Sequence, residues 1–204
     1  MHMNDKLTEI AFVMDRSGSM DSMQNEAIGG FNHFLEEQKK EPGDVRFSLV
    51  LFDHEYLKPV DHQHLNQVRP LDRNTYLPRG TTALLDAMGR TIDEMGQRLA
   101  ATPESERPGK VIIACMTDGF ENSSKIYSNE KVAQMIEHQR TKYSWDFVFL
   151  GATLESREMA RSWSIEDADI AEYVATPEGT YTAQLDISSR VKFKRSMFMN
   201  KPQE

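Results

Sequence analysis

Residues 10–20 read Ile10-Ala-Phe-Val-Met-Asp15-Arg-Ser17-Gly-Ser19-Met20, and this stretch decides the fold. Five apolar residues end abruptly at Asp15, and a Ser-Gly-Ser turn follows. A continuous apolar run bounded by turn residues is typical of a strand buried on both faces of a parallel sheet. Ligand sites in such sheets lie beyond the carboxyl ends of the strands, where we expect Asp15. Its carboxylate and the two hydroxyls offer three oxygen ligands to a hard cation such as Mg²⁺, although Asp and Ser also cap helices.

Apolar runs of this kind alternate with helical patterns along the rest of the chain. Further strands are predicted at 45–52, 56–60, 110–117, 145–151 and 173–175. Helices are predicted at 24–40, from Thr81 or Thr82 to about 99, at 129–143, at 155–163 and from 177. This alternation predicts an α/β fold with a doubly wound, mostly parallel central sheet that is flanked by helices. Pro59 restricts the arm at 56–60 to an edge of the sheet.

The 204 residues predict a single domain, with 1–6 as an N-terminal extension and 177–204 as a C-terminal helix and tail. The formal net charge of −8 argues against nucleic-acid binding, because such proteins carry a basic surface. No apolar stretch approaches the ~18 residues that a membrane helix needs, and the N-terminus does not have the pattern of a secretory signal. One cysteine, Cys115, permits no intrachain disulfide. We therefore expect a cytoplasmic protein that does not bind membranes.

Two further segments place oxygen ligands where Asp15 is expected. Asp118 ends the apolar run 110–117, just as Asp15 ends the first strand, and Thr82 lies at the start of a helix. In a doubly wound sheet, neighbouring strand ends and the adjacent helix starts converge on one crevice. Together with Ser17 and Ser19, these residues supply two carboxylates and three hydroxyls for one cation.

The three segments resemble the metal-ion-dependent adhesion site of a von Willebrand factor A (VWA) domain. They are the Asp15-x-Ser17-x-Ser19 loop, Gly80-Thr81-Thr82-Ala-Leu-Leu-Asp-Ala and Thr117-Asp118-Gly119, and the resemblance spans about residues 7–175. It implies that Ser17, Ser19 and Thr82 contact the metal, with Thr81 as the alternative to Thr82, and that the two Asp residues often act through water. It also implies a Rossmann-like fold with strand order 3-2-1-4-5-6 and an antiparallel edge strand.

In this family the metal commonly accepts an Asp or Glu carboxylate from a partner protein. The resemblance therefore implies an adaptor that binds Mg²⁺, or Mn²⁺, and docks a protein partner through it, similar to the stand-alone bacterial and phage members. The loops around the proposed ligands contain residues that we expect at the rim of a partner-binding surface. They are His54, Arg79, Phe120, Glu121 and Asn122.

An enzymatic function is the alternative, and a metal-dependent, phosphatase-like hydrolase is its most specific form. Asp15 at a strand end resembles the nucleophile of haloacid-dehalogenase-type phosphatases, but those need a second acid where this chain has Ser17. No strand is followed by a glycine-rich phosphate loop, and no serine lies in a nucleophile elbow. We therefore expect a protein that is not an enzyme.

Overall fold

The computed structural model describes residues 3–200, which form six strands and five α-helices around one sheet. The strands are β1 (Asn4–Asp15), β2 (Asp44–Phe52), β3 (Tyr56–His64), β4 (Pro108–Thr117), β5 (Asp146–Gly151) and β6 (Ile170–Glu172). The helices are α1 (Gln24–Lys40), α2 (Leu84–Ala101), α3 (Asn129–Tyr143), α4 (Leu154–Ser162) and α5 (Pro177–Met199). Short 3₁₀ turns occupy Gly18–Met23, Leu65–Gln67, Glu104–Glu106 and Asp167–Asp169.

The sheet has the strand order β3-β2-β1-β4-β5-β6, as predicted. β3 pairs antiparallel with β2 at one edge, and the other neighbouring strands of this sheet pair in parallel. β1 and β4 therefore lie in the middle, and their carboxyl ends meet at one edge of the sheet. Asp15 is the last residue of β1, and Asp118 directly follows β4.

Two apolar cores cover the two faces of the sheet, because successive side chains of a strand point to opposite faces. On β1, Phe12 and Met14 join the core beneath α1 and α5, whereas Ala11 and Val13 join the core beneath α2 and α3. The continuous apolar run of the sequence thus has the predicted cause, which is burial on both faces. No helix in residues 3–200 is long and apolar enough to cross a membrane.

Three strand boundaries differ from the prediction. β1 begins at Asn4, inside the expected N-terminal extension, and Asn4 pairs with Pro108. β3 continues through 61–64, beyond the predicted end at residue 60, because the polar side chains of an exposed edge strand carry no apolar signal. β6 ends at Glu172, one residue before the predicted strand 173–175, and pairs with β5 over three residues. Residues 201–204 of the predicted tail lie outside the described part of the chain.

The start of α2 also differs, and the difference concerns the predicted ligand Thr82. The helix begins at Leu84 after the N-cap residue Ala83, and no threonine side chain caps it. The backbone of Thr82 instead pairs with Asn122, whose Oδ1 accepts a hydrogen bond from the Thr82 N–H at 2.9 Å. This pairing keeps Thr82 in an extended loop and leaves its hydroxyl free of a capping role.

Candidate metal centre

Asp15 lies at the centre of the candidate site and is almost completely buried. Its Oδ1 accepts a hydrogen bond from the Ser17 N–H at 2.6 Å, and its Oδ2 accepts one from the Thr117 hydroxyl at 2.5 Å. Burial raises the pKa of Asp15 from 3.8 to about 6, the bonds from Thr117 and Ser17 oppose that rise, and the Asp118 carboxyl adds to it. Ionisation of a buried acid with a raised pKa costs free energy, and a nearby cation would remove that cost.

A chain of hydrogen bonds links three other predicted ligands. The Ser17 and Ser19 hydroxyl oxygens lie 3.1 Å apart, and the Ser19 hydroxyl donates to Asp118 Oδ1 at 2.8 Å. Burial also raises the pKa of Asp118, although the bond from Ser19 opposes it. Ser17 is buried, whereas Ser19 is exposed, so the middle of this chain of oxygens reaches the surface.

Thr82 approaches the same point from the α2 side. Its Oγ1 lies 2.9 Å from the position that a Cβ on Gly119 would take, and Asp15 Oδ2 lies 3.7 Å from that position. Gly119 therefore lets the three loops approach closely, because any larger residue would displace the Thr82 hydroxyl. Thr82 is buried and Thr81 is exposed, and this difference favours Thr82 over its neighbour as a ligand.

This donor set fits a hard divalent cation. In an octahedron of oxygens at about 2.0–2.1 Å from Mg²⁺, neighbouring oxygens are about 2.8–3.0 Å apart. The measured spacings of 2.8 Å between Ser19 Oγ and Asp118 Oδ1 and 3.1 Å between the two serine oxygens are close to that value. Among residues 3–200, no group of three or more His, Cys, Asp or Glu side chains could hold a metal. A cation at this site would therefore depend on the hydroxyls.

Comparison with known proteins gives structural relatives and no sequence relatives. No protein-family model matches the chain, and no curated protein matches it. The von Willebrand factor domain of the type V pili tip protein from Porphyromonas gingivalis superposes with a TM-score of 0.65 at 12% identity, over 97% of each chain. The chain has the VWA fold. A structure titled von Willebrand factor type A from Catenulispora acidiphila gives a TM-score of 0.57 at 15% identity, covering 94% of this chain and 43% of that one.

Two neighbours with the VWA fold are described as holding metal. Proximal thread matrix protein 1 from the mussel byssus, with a zinc-occupied adhesion-site motif, has a TM-score of 0.59 at 17% identity, covering 91% of this chain and 46% of that one. The manganese-loaded TRAP protein of Plasmodium vivax has a TM-score of 0.57 at 13% identity, covering 90% of this chain and 72% of that one. Our chain thus spans just under half of the mussel protein. At these identities the likeness shows the fold alone.

Two of the predicted rim residues lie on the β2 side of the site. His54 is about half exposed, and its ring packs against Gly80, where a Cβ would come within 2.2 Å of His54 Nδ1. Gly80 has a φ of +68°, a conformation that also favours glycine. Arg79 is about half exposed and bonds the buried Asp53 at 3.0 Å, as well as Glu55. Both residues are at the surface, and their partner-binding role stays a prediction.

The other predicted rim residues follow Asp118. Phe120 is 52% exposed, whereas both carboxylate oxygens of Glu121 and the Oδ1 of Asn122 accept hydrogen bonds within the protein. The Glu121 carboxylate accepts hydrogen bonds from the N–H groups of Leu85, Ser123 and Ser124 at 2.8–3.0 Å. Glu121 and Asn122 thus attach this loop to the start of α2, and a role in partner contact stays a prediction for both.

The structure adds three residues whose roles the sequence analysis missed. Two of them form hydrogen bonds with Asp15. The Thr117 hydroxyl donates to the Asp15 carboxylate, and the Tyr76 hydroxyl donates to the Asp15 carbonyl at 2.6 Å. Asp53 is fully buried and forms an ion pair with Arg16 at 3.1 Å. This ion pair holds the loop 16–19, which we call the metal loop, to the end of β2. Asp53 directly follows an apolar strand, as Asp118 does, and this placement is a signal in the sequence. Tyr76 lies in an irregular loop, and its sequence context gives no such signal.

Proposed function

We propose that this chain binds Mg²⁺ or Mn²⁺ through Asp15, Ser17, Ser19, Thr82 and Asp118, and docks a protein partner through that metal. The observation that carries the proposal is the convergence of these oxygens at the carboxyl edge of the sheet, where three of them form a hydrogen-bonded chain. The proposal draws further support from neighbours of the same fold that are described as zinc-occupied and manganese-loaded.

The charges of the ligands favour an anionic oxygen from the partner. Two carboxylates at most balance the charge of a divalent ion, and three hydroxyls coordinate without contributing charge. The metal therefore keeps its attraction for an incoming carboxylate, and an Asp or Glu of a partner protein supplies one. The exposed Ser19 places part of this site at the surface, where a partner side chain can reach it.

A binding function is favoured over catalysis. Asp15 is bonded on both carboxylate oxygens within the protein, by the Ser17 N–H and the Thr117 hydroxyl, and so is poorly placed as a nucleophile. The position two residues after Asp15 is Ser17, which cannot act as a general acid as a carboxyl does. A metal-dependent hydrolase remains the alternative that the experiment must test. The adaptor role, the cytoplasmic location and the bacterial or phage type stay predictions.

The first test is thermal unfolding in chelator and in rising Mg²⁺, Mn²⁺ or Ca²⁺. A ligand at about 100 times its Kd raises the free energy of unfolding by about 2.7 kcal/mol. We expect Mg²⁺ and Mn²⁺ to stabilise the wild type and to have no such effect on Asp118→Ala. Asp21→Ala is the matched control, because it removes the same charge from an exposed position just after the metal loop.

Two results would contradict the proposal. Equal metal-dependent stabilisation of the wild type and Asp118→Ala would show that the metal binds elsewhere. Turnover of a generic phosphate ester that requires Mg²⁺ and is lost in Asp15→Ala would favour the hydrolase. Partner docking is tested afterwards by binding of carboxylate-containing peptides in Mn²⁺ and in chelator.

A further inference from the structure

Large apolar side chains are exposed on loops at the same edge of the sheet as the candidate metal centre. Four of them lie on four different segments at the carboxyl edge of the sheet, and their exposed fractions range from 51% to 67%. We call this set the apolar rim, and it consists of Leu77, Phe120, Leu154 and Val174. Single exposed apolar residues are common on protein surfaces, so their placement around one site is the informative feature.

Each member of the apolar rim lies within two residues of one that is anchored at the site or at a strand end. Leu77 follows Tyr76, whose hydroxyl donates to the Asp15 carbonyl at 2.6 Å. Phe120 follows Gly119, above which the Thr82 hydroxyl lies. The other two members follow the next strands of the sheet.

Leu154 opens α4, two residues after Ala152, whose N–H donates to the Thr117 carbonyl at 3.1 Å. Val174 follows β6 and the buried Tyr173, and its carbonyl accepts a bond from the Thr176 N–H at 2.7 Å. Hydrogen bonds to the backbone thus order the loops that carry the apolar rim at the carboxyl edge of the sheet. An apolar surface that is already ordered loses little conformational entropy when a partner covers it.

We propose that the apolar rim selects the partner, and that the partner segment carries an Asp or Glu between large apolar side chains. This inference rests on the proposed function, since the metal supplies the attraction for the carboxylate. The occupant follows from complementarity of charge and surface: a divalent cation at the centre attracts the acid, and the surrounding apolar side chains favour apolar neighbours on the same segment. A segment composed mainly of acidic residues would gain the attraction to the cation but would lack the apolar contacts with the rim.

The test compares two synthetic peptides that have blocked ends and identical charge. One has a single glutamate flanked by two leucines on each side, and the other has the same glutamate flanked by two serines on each side. Their binding to the full chain is measured by calorimetry in Mn²⁺, after Mn²⁺ binding to the chain has been titrated by itself. We expect the leucine peptide to bind at least about tenfold more tightly, and we expect chelator to weaken both.

Phe120→Ser should reduce this preference at least severalfold without changing the Kd for Mn²⁺. Phe193→Ser is the matched control, because Phe193 is 64% exposed on the second half of α5, which runs away from the site. It should leave the preference unchanged. Leu154→Ser provides a second variant, on a different loop.

The possible failures can be told apart. Absence of Mn²⁺ binding would overturn the proposed function, and this inference with it. Normal Mn²⁺ binding with equal or undetectable binding of both peptides would overturn the apolar rim as a selector while leaving the metal centre intact. A leucine preference that survives in both Phe120→Ser and Leu154→Ser would assign the apolar contact to another surface and overturn the inference as well.

Discussion

At the scale of single residues, the burial of Asp15 sets stability against the proposed function. Its carboxyl is buried beside a second acid, and burial raises its pKa from 3.8 to about 6. The folded protein therefore binds this proton more tightly than the unfolded chain does. The penalty is absent below about pH 4, grows as the pH rises to about 6, and is complete above that value. At neutral pH the metal-free protein thus retains an acid that destabilises it.

This conflict makes a prediction for Asp15→Asn. The amide cannot ionise, and its oxygen can still accept the bond from the Ser17 N–H. A pKa difference of about two units corresponds to about 3 kcal/mol at most, so we expect the variant to be about 1–3 kcal/mol more stable than the wild type in chelator at pH 7.5. The gain should shrink toward pH 4, and denaturant unfolding at several pH values measures it.

The same substitution should remove stabilisation by Mg²⁺ and Mn²⁺, because one of the two carboxylates is lost. A variant that is less stable than the wild type at pH 7.5 in chelator would contradict the argument. It would show that the hydrogen bond from Thr117 to Asp15 outweighs the cost of burying the charge.

At the scale of elements, one buried guanidinium attaches α5 to the end of α1. Arg195 is 2% exposed, and it donates to the Gln38 carbonyl at 2.8 Å, to Gln38 Oε1 at 2.9 Å and to the Pro42 carbonyl at 3.1 Å. Burial lowers the pKa of Arg195. The Gln38 carbonyl lies in the last turn of α1, where carbonyls have no partner within the helix, and its other donor is the Glu41 N–H at 3.4 Å.

We expect Arg195→Met to lower the free energy of unfolding by about 3 kcal/mol, because the buried Gln38 Oε1 would lose its donor and the Gln38 carbonyl would keep only the Glu41 N–H at 3.4 Å. Lys192→Met on the same helix is the control. Lys192 makes partly exposed ion pairs with Glu37 and Glu41, which contribute about 1 kcal/mol or less. Denaturant titration distinguishes the two, and equal losses in both variants would contradict the assigned role of Arg195.

At the scale of the whole molecule, one sheet connects both cores, so the described chain should unfold as a unit. β1 contributes Phe12 to the core beneath α1 and α5, and Val13 to the core beneath α2 and α3. Loss of one core would remove half of the burial of the central strands. Metal bound at their carboxyl ends should therefore stabilise the entire structure and not one loop.

This coupling predicts coincident unfolding by two probes. Trp145 and Trp163 both lie in the core beneath α2 and α3, so their fluorescence reports on one face, whereas far-UV circular dichroism reports on all helices. The two midpoints should agree within error, and Mn²⁺ should raise both equally. An earlier dichroism transition would indicate that α5 and α1 separate before the rest, contrary to this expectation.

The sequence by itself determined the alternation of strands and helices and the approach of the oxygen ligands to one another, whereas the strand order was implied by the resemblance to VWA domains. The apolar run that ends at Asp15 predicts a central strand because burial on both faces demands apolar residues at every position. Asp118 repeats that pattern, and parallel strands bring both acids to one edge. These two strands could be predicted because the local composition of a strand reports directly on its burial.

Only the tertiary structure decided how the loops around those acids are held. Three residues take their roles from partners that lie 36–61 residues away in the sequence, and no local pattern encodes such contacts. They are Tyr76, Asp53 and Glu121, which bond Asp15, Arg16 and Leu85, respectively. The start of α2 shows the same limit, because pairing of Thr82 with Asn122 outweighs the local preference for a threonine cap. Spacing along the chain predicts the faces of strands and helices, whereas hydrogen bonds between distant loops depend on packing in three dimensions.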